Sequence, residues 1–353
     1  MNKILKGRGA QFNTQNRFET LVREPFVEDA IYDAEILAED PSTTYTEVYQ
    51  KSIINKVDSP DVPSNWSMNP YQGCEHGCVY CYARITHEYW GYSAGKDFEK
   101  QILVKKNAAQ LLDKKLSSKN WKADPIMLSG NTDCYQPAER KYKITRELLE
   151  VCLKHKHPVG IITKNALVLR DIVLLKKLAQ NNLVNVHISI TTLNEELRRL
   201  LEPRTSSGKN RLGTVEKLTD AGIPVNVMMA PIIPGLNSTE IFDIAEASSK
   251  AGATCMSHTM VRLNGAIALL FEDWIQKSLP LKANRVLNLI AEAQGGKLGN
   301  SNFGERMRGK GAVADSIYQT ISLARKTFNL SKKMPSFDTT IFKENKQPQL
   351  ALF

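Results

Sequence analysis

Five times in this chain a short apolar run gives way to an amphipathic stretch, and each run stops on glycine or a polar residue. "PIMLSG" ends at Gly130 ahead of "ITRELLEVCLKHK", and "VGIITK" ends at Lys164 ahead of "RDIVLLKKLAQ". "VNVHISITT" ends at Thr192, "PVNVMMAPIIPG" at Gly235 and "TCMSHTMVRLNG" at Gly265, each with a helical pattern behind it. Strands alternating with helices predict an α/β fold with a parallel sheet. The runs are nearly continuous in apolar character, as strands covered by helices on both faces must be. A sixth unit begins at "WSMNPY". Folds of this kind carry their ligands at the C-terminal ends of the strands, where the polar and glycine residues gather here.

The loop after the sixth run reads "QGCEHGCVYCYAR" and holds Cys74, Cys78 and Cys81, half of the six cysteines in the chain. No run of ~18 apolar residues exists for a membrane span, and the N-terminus lacks the apolar stretch of a signal peptide. The expected setting is the cytoplasm, where thiols stay reduced and clustered cysteines point to metal or catalysis. A structural zinc site needs four ligands, and His76 or Cys134 would have to supply the fourth without convincing spacing. A [4Fe-4S] cluster normally takes four thiolates. Three in one loop leave one iron open, as a catalytic site requires. Gly73 and Gly77 let the loop curl without Cβ clashes.

With the aromatic Tyr80 just before Cys81, this motif resembles that of the radical S-adenosylmethionine (SAM) superfamily. The resemblance implies a partial (β/α)6 TIM-like barrel with N- and C-terminal extensions. It implies a [4Fe-4S] cluster on Cys74, Cys78 and Cys81, with SAM chelating the open iron. One electron from the reduced cluster would cleave SAM to a 5′-deoxyadenosyl radical that abstracts a substrate hydrogen. An electron donor such as flavodoxin or ferredoxin is implied too. "SGNTDCYQPAER", "LEPRTSS" and "PVNVMMAPIIPGLN" resemble the branch that contains spore photoproduct lyase and its uncharacterised, DNA-repair-photolyase-like relatives. "KGRGAQFNTQNRFE" resembles the opening of an uncharacterised subfamily within it. The match spans 67–265. The chain divides into an N-terminal extension, 1–64, a radical SAM core, 65–294, and a basic C-terminal region, 295–353.

The branch also suggests site residues. Gly130 and Asp133, after the second strand, stand where the SAM amino group is gripped, although Asp133 serves equally as a turn cap. Lys164 stands where a lysine pairs with the SAM carboxylate; the alternative is a solvated ammonium. Ser189 stands near the ribose or carboxylate contact, or is a core hydroxyl. Ile232 and Ile233 match the apolar strand that packs on adenine. Tyr135, Gln136 and Glu139 offer polar groups to SAM or substrate. Arg204 offers a cation to an anionic group or pairs with Glu202. Cys134 is a candidate hydrogen-atom donor, but it follows Asp133 where the lyases place their cysteine before the acidic residue, so a packed thiol competes with that role. Cys152 and Cys255 read as core.

The net charge is +10. Residues 295–346 carry ten Lys/Arg against four Asp/Glu, which is +6 of it. That concentration suits a polyanion such as nucleic acid, or a solvated surface. The last residues, "QLALF" (349–353, Gln349 to a closing Phe353), resemble the glutamine-led peptides that bind the bacterial sliding clamp. The expected function is radical chemistry on nucleic acid, of a lyase or repair-like kind. The alternatives are modification of RNA, protein or a small metabolite, or a non-catalytic iron–sulfur redox sensor.

Overall fold

The computed structural model describes residues 7–18 and 42–344. All six apolar runs are strands: β3 Trp66–Met68, β6 Ile126–Leu128, β7 Val159–Thr163, β8 Val184–Ser189, β9 Val225–Ile232 and β10 Cys255–Met260, with β1 Thr44–Val48, β2 Ile54–Lys56, β4 Tyr71–Gln72 and β5 Gln101–Lys105 interspersed. The main sheet runs β10-β9-β8-β7-β6-β3-β2. Its first six strands are parallel and β2 is antiparallel to β3. Val and Ile recur along β7, β8 and β9, joined in β9 by two methionines, and most of their residues are buried. Sequence reasoning passed over the second sheet, β1-β5-β4, in which β1 runs parallel to β5 and β4 antiparallel.

Helices fill the connections. In chain order they are α1 Asp97–Lys100, α2 Ala108–Ser117, α3 Ala138–Tyr142, α4 Ile144–Lys154, α5 Ile172–Ala179, α6 Glu195–Leu201, α7 Gly208–Asp220, α8 Ile241–Lys250, α9 Ala266–Ser278, α10 Pro280–Ala293 and α11 Ala312–Thr327. The buried stripe of α4, Ile144, Leu148, Leu149 and Cys152, follows the 3.6-residue period and joins the main core. α10, unread in the sequence, opens on Pro280, whose missing N–H costs nothing in a first turn.

Among the described residues no ladder joins β10 to β2, so the barrel is open on one side. The loop 297–310 crosses that opening. On the β10 side Met260 N donates to Met307 O at 2.9 Å and Leu263 N to Leu298 O at 2.9 Å. On the other side the β2–β3 connection receives it. Gly304 N donates to Asp61 Oδ1 at 2.7 Å, and Arg306 Nε to Asp61 Oδ2 at 2.6 Å.

Candidate active site

The cysteine loop leaves β4 at the C-terminal end of the parallel sheet, and neighbouring backbone fixes its path. Cys74 N donates to Phe98 O at 2.7 Å, and Val79 N to Leu201 O at 3.1 Å. Gly73 has φ +80°, and a Cβ there would stand 2.7 Å from Gln101 O, so no other residue fits that turn. Gln136 clasps the loop from α3's side: its Nε2 donates to Gly73 O at 3.0 Å and its Oε1 accepts from Glu75 N at 3.0 Å. Arg84, the last residue of the motif, donates to Cys78 O at 3.0 Å.

Cys74 and Cys78 are buried and Cys81 is partly exposed. Burial pushes the thiol pKa of each upward, and at Cys74 the charges of Asp133, Cys78 and Cys81 add to it. Among the described residues no three His, Cys, Asp or Glu side chains converge on a single ion. The three thiols lie near enough to feel one another's charge.

Around the loop, most charges are paired. Glu202 is fully buried; it accepts from Arg211 Nη2 at 2.5 Å and from the hydroxyls of Tyr80 and Thr191. Burial alone would raise its pKa, but Arg211 and Lys164 outweigh burial and hold it at about 2. Asp133 accepts from Thr163 Oγ1 at 2.8 Å, Tyr135 N at 2.9 Å and Lys164 N at 2.8 Å, with His76 Nδ1 at 3.3 Å. It thereby ties the cysteine loop to the end of β7. Lys164 is not paired. Its ammonium lies 6.0 Å from the centre of the Tyr80 ring and has no hydrogen bond or ion pair with a described residue. Burial opposes its charge, but the fields of Cys78 and Glu202 prevail and raise its pKa.

A family model described as the radical SAM superfamily matches residues 68–247. The chain is 34% identical over 249 residues to an uncharacterised protein of Mycobacterium bovis, covering 70% of this chain and 73% of that one. The chain belongs to the radical SAM superfamily. An uncharacterised protein of Methanocaldococcus jannaschii is 31% identical over 177 residues, 50% of this chain and 64% of that one. Among solved structures, spore photoproduct lyase complexed with dinucleoside spore photoproduct superposes with a TM-score of 0.57 at 15% identity, over 80% of this chain and 79% of that one. A variant of that lyase with bound SAM and the same photoproduct gives a TM-score of 0.56 at 16% identity, over the same shares. At these identities the likeness is one of fold. It agrees with the open parallel sheet above.

The superfamily's cofactors are a [4Fe-4S] cluster and SAM, and the residues present fit both. A cube offers its corners to separate thiolates, which suits three thiols carried on one short loop within reach of one another's charge. Buried, mutually repelling thiols need a strong cationic partner to ionise, and bound iron is one. The unpartnered Lys164 ammonium suits a carboxylate.

The other expected site residues are distributed unevenly. Tyr80 is in the loop, but its hydroxyl is spent on Glu202. Gly130 follows β6, and its carbonyl accepts the Tyr82 hydroxyl at 2.5 Å. Ser189 is buried at the end of β8, and its carbonyl accepts Arg211 Nη1 at 2.8 Å. Ile232 lies in the main core, whereas Ile233 packs in the apolar cluster with Cys78 and Tyr80. Tyr135 and Glu139 point away from open space. Tyr135 donates to Asp171 at 3.1 Å, and Glu139 accepts from Tyr71 at 2.5 Å and Arg170 at 2.6 Å. Cys134, offered as a hydrogen-atom donor, packs wholly within the main core beside Tyr71 and Tyr135. Cys152 and Cys255 are buried as expected. Arg204 does not pair with Glu202, because Arg211 already does. It lies 3.6 Å from Glu75 Oε1 and 3.5 Å from Thr43 Oγ1.

Sequence reasoning missed Arg84, Glu99 and Arg211. Arg84 had a signal, since it closes the quoted motif. Glu99 and Arg211 gave none, because acidic and basic residues are common in such stretches. Among the described residues no helix is long and apolar enough to cross a membrane. The "QLALF" peptide lies outside the described residues.

Proposed function

We propose that this radical SAM protein is an enzyme acting on nucleic acid by a lyase or repair-like reaction in the cytoplasm, with Cys74, Cys78 and Cys81 holding the cluster. The observation that carries the reading is the placement beside those three thiols of Lys164, an ammonium with no hydrogen bond or ion pair to a described residue. The cluster, when bound and reduced, supplies the electron that cleaves SAM. Lys164 would hold the SAM carboxylate, and Ile233, more than Ile232, offers an apolar wall beside the loop. Asp133 would act by bracing Lys164 and the loop. Tyr80 and Glu202 would keep the floor of the site dry and fixed. Support for a nucleic-acid substrate comes from the basic segment 295–346, with +6 of the net charge, and from the lyase fold.

The test is anaerobic reconstitution of the full chain, followed by measurement of 5′-deoxyadenosine release from SAM. About four irons per chain are expected for one such cluster. Replacing any one of the three cysteines by Ala should abolish release. One zinc and no iron, or no release from the reduced protein, would reject the reading. Flavodoxin or ferredoxin is the electron donor proposed. Phosphate contacts predict that DNA affinity falls steeply between ~50 and ~200 mM salt; equal affinity at both would confine the basic charge to solubility. The peptide 349–353 is proposed to dock on the sliding clamp at micromolar Kd, burying Leu350, Leu352 and Phe353. Equal clamp binding by a peptide with Leu352 and Phe353 both changed to Ala would reject that role.

A further inference from the structure

Most buried and half-buried arginines among the described residues meet carboxylates, and Arg8 and Arg325 meet backbone carbonyls. Arg84 pairs with Glu99, Arg211 with Glu202, Arg170 with Glu139 and Asp171, and Arg306 with Asp61. Arg262 is different. It follows β10 at the C-terminal mouth of the sheet and is half-buried. Its guanidinium lies 5.4 Å from the centre of the Tyr82 ring, and it has no hydrogen bond or ion pair with a described residue. The five N–H donors of a half-buried guanidinium are costly to leave unmade.

The surroundings of Arg262 define where those donors lie. Tyr82 directly follows Cys81, is half-exposed, and donates to Gly130 O, so its ring spans from the cluster loop to the end of β6. On the other side stands the loop 297–310, which crosses the barrel's opening. Its Arg306 is spent on Asp61 and on Ser59 Oγ at 2.6 Å, and its guanidinium lies 4.4 Å from the exposed Phe303 ring. The anchoring of Arg306 leaves Asp61 engaged and Arg262 without a carboxylate of its own. Burial pushes the Arg262 pKa below its ordinary value, and Arg306 adds to that fall; Tyr82 and Asp61 act the other way. Lys164 and Arg262 thus flank the cysteine loop, one against Tyr80 and the other against Tyr82.

We propose that Arg262 is a substrate-binding residue that grips a phosphodiester of the nucleic acid at the barrel mouth, with the Tyr82 ring beneath it and the Phe303 ring exposed on the crossing loop for a base to stack on. A planar guanidinium suits the paired oxygens of a phosphodiester, and exposed rings suit unpaired bases. The identity of the ligand rests on the nucleic-acid reading above; the existence of an anion subsite does not.

The experiment uses the reconstituted full chain under anaerobic conditions. Three probes are titrated: thymidylyl-thymidine, its uncharged methylphosphonate analogue, and inorganic pyrophosphate. Arg262→Gln is compared with native protein and with Lys177→Gln, which removes one charge from the exposed face of α5. A charge-assisted hydrogen bond predicts that native protein prefers the charged dinucleotide to its neutral analogue by ~10-fold or more. Arg262→Gln should erase that preference, and Lys177→Gln should keep it. Because Arg262 has no partner to strand, its loss should leave the melting temperature and SAM affinity unchanged. Should Arg262→Gln fold poorly, Arg262→Met carries the same test, since it also removes the charge. Retention of the full preference in the variant overturns the subsite while leaving a nucleic-acid substrate open. Pyrophosphate binding that Arg262 controls, with no preference between the two dinucleotides, keeps the subsite and removes nucleic acid. Absence of binding to all three probes in the native protein overturns the subsite outright.

Discussion

Arg84 Nη2 lies 2.5 Å from Glu99 Oε1, and both side chains are completely buried behind the cysteine loop. The pair is a junction of three segments. Arg84 also holds Cys78 O at 3.0 Å, while Glu99 accepts Gly9 N at 3.1 Å and Ala10 N at 2.8 Å. Arg8 completes it by donating to Glu99 O at 2.7 Å. One carboxylate therefore fastens the segment 7–18 to the back of the cysteine loop.

Removing Glu99 should expose that dependence. Glu99→Ala leaves Arg84 buried without its counter-charge, a loss on the order of 3–5 kcal/mol. Glu99→Gln, which keeps one acceptor, should cost less. Denaturant unfolding of the cluster-free chain measures both, and equal stability of Glu99→Ala and the native chain would contradict the junction.

Gly9 should tolerate no side chain. A Cβ there would stand 1.9 Å from Gly77 O, a backbone atom of the cysteine loop. Gly9→Ala should displace either the segment 7–18 or the loop, at ~1–3 kcal/mol. The expected readouts are faster proteolysis within 7–18 and faster cluster bleaching in air, followed by visible absorbance. Native rates in both assays would mean that the close approach is relieved without consequence.

Lys164→Met should weaken SAM binding. A hydrogen-bonded, partly buried ammonium–carboxylate pair is worth ~2–5 kcal/mol on truncation, or at least ~30-fold in Kd. Equilibrium dialysis of SAM against the reconstituted variant measures it, and an unchanged Kd would remove Lys164 from the site.

Glu202 sets a pH dependence. Its folded pKa of about 2 lies below the ordinary 4.5, so folding favours the charged form. The stability this contributes is fully present above pH 4.5 and is lost as pH falls from there towards about 2. The shift corresponds to on the order of 3 kcal/mol. Native protein should therefore lose stability across that window more steeply than Glu202→Gln, measured as denaturation midpoints between pH 6 and pH 3. Parallel curves would show that Arg211 and Glu202 are not coupled as described.

The sequence by itself determined the superfamily and the parallel run of the main strands. Three cysteines within eight residues need no tertiary information to be read as one ligand set, because the chain itself keeps them close. The apolar runs of β6 to β10 were legible because a strand covered on both faces must be apolar along its whole length. The strands β1 and β5 were not, since β1 has a mostly exposed pattern and gains its place only by pairing with a partner far along the chain. α10 could have been read from Pro280 and its apolar period, and was passed over. What only the tertiary structure decided is which charges meet. Glu202 had Arg204 two residues away and took Arg211; Arg204 turned to Glu75, and Asp61 met Arg306 across the open barrel. A sequence holds many possible partners for each charge at similar local cost. Burial makes an unmatched charge expensive, so packing selects among them. The same selection left Lys164 and Arg262 without partners on the two sides of the cysteine loop, which no spacing rule announces.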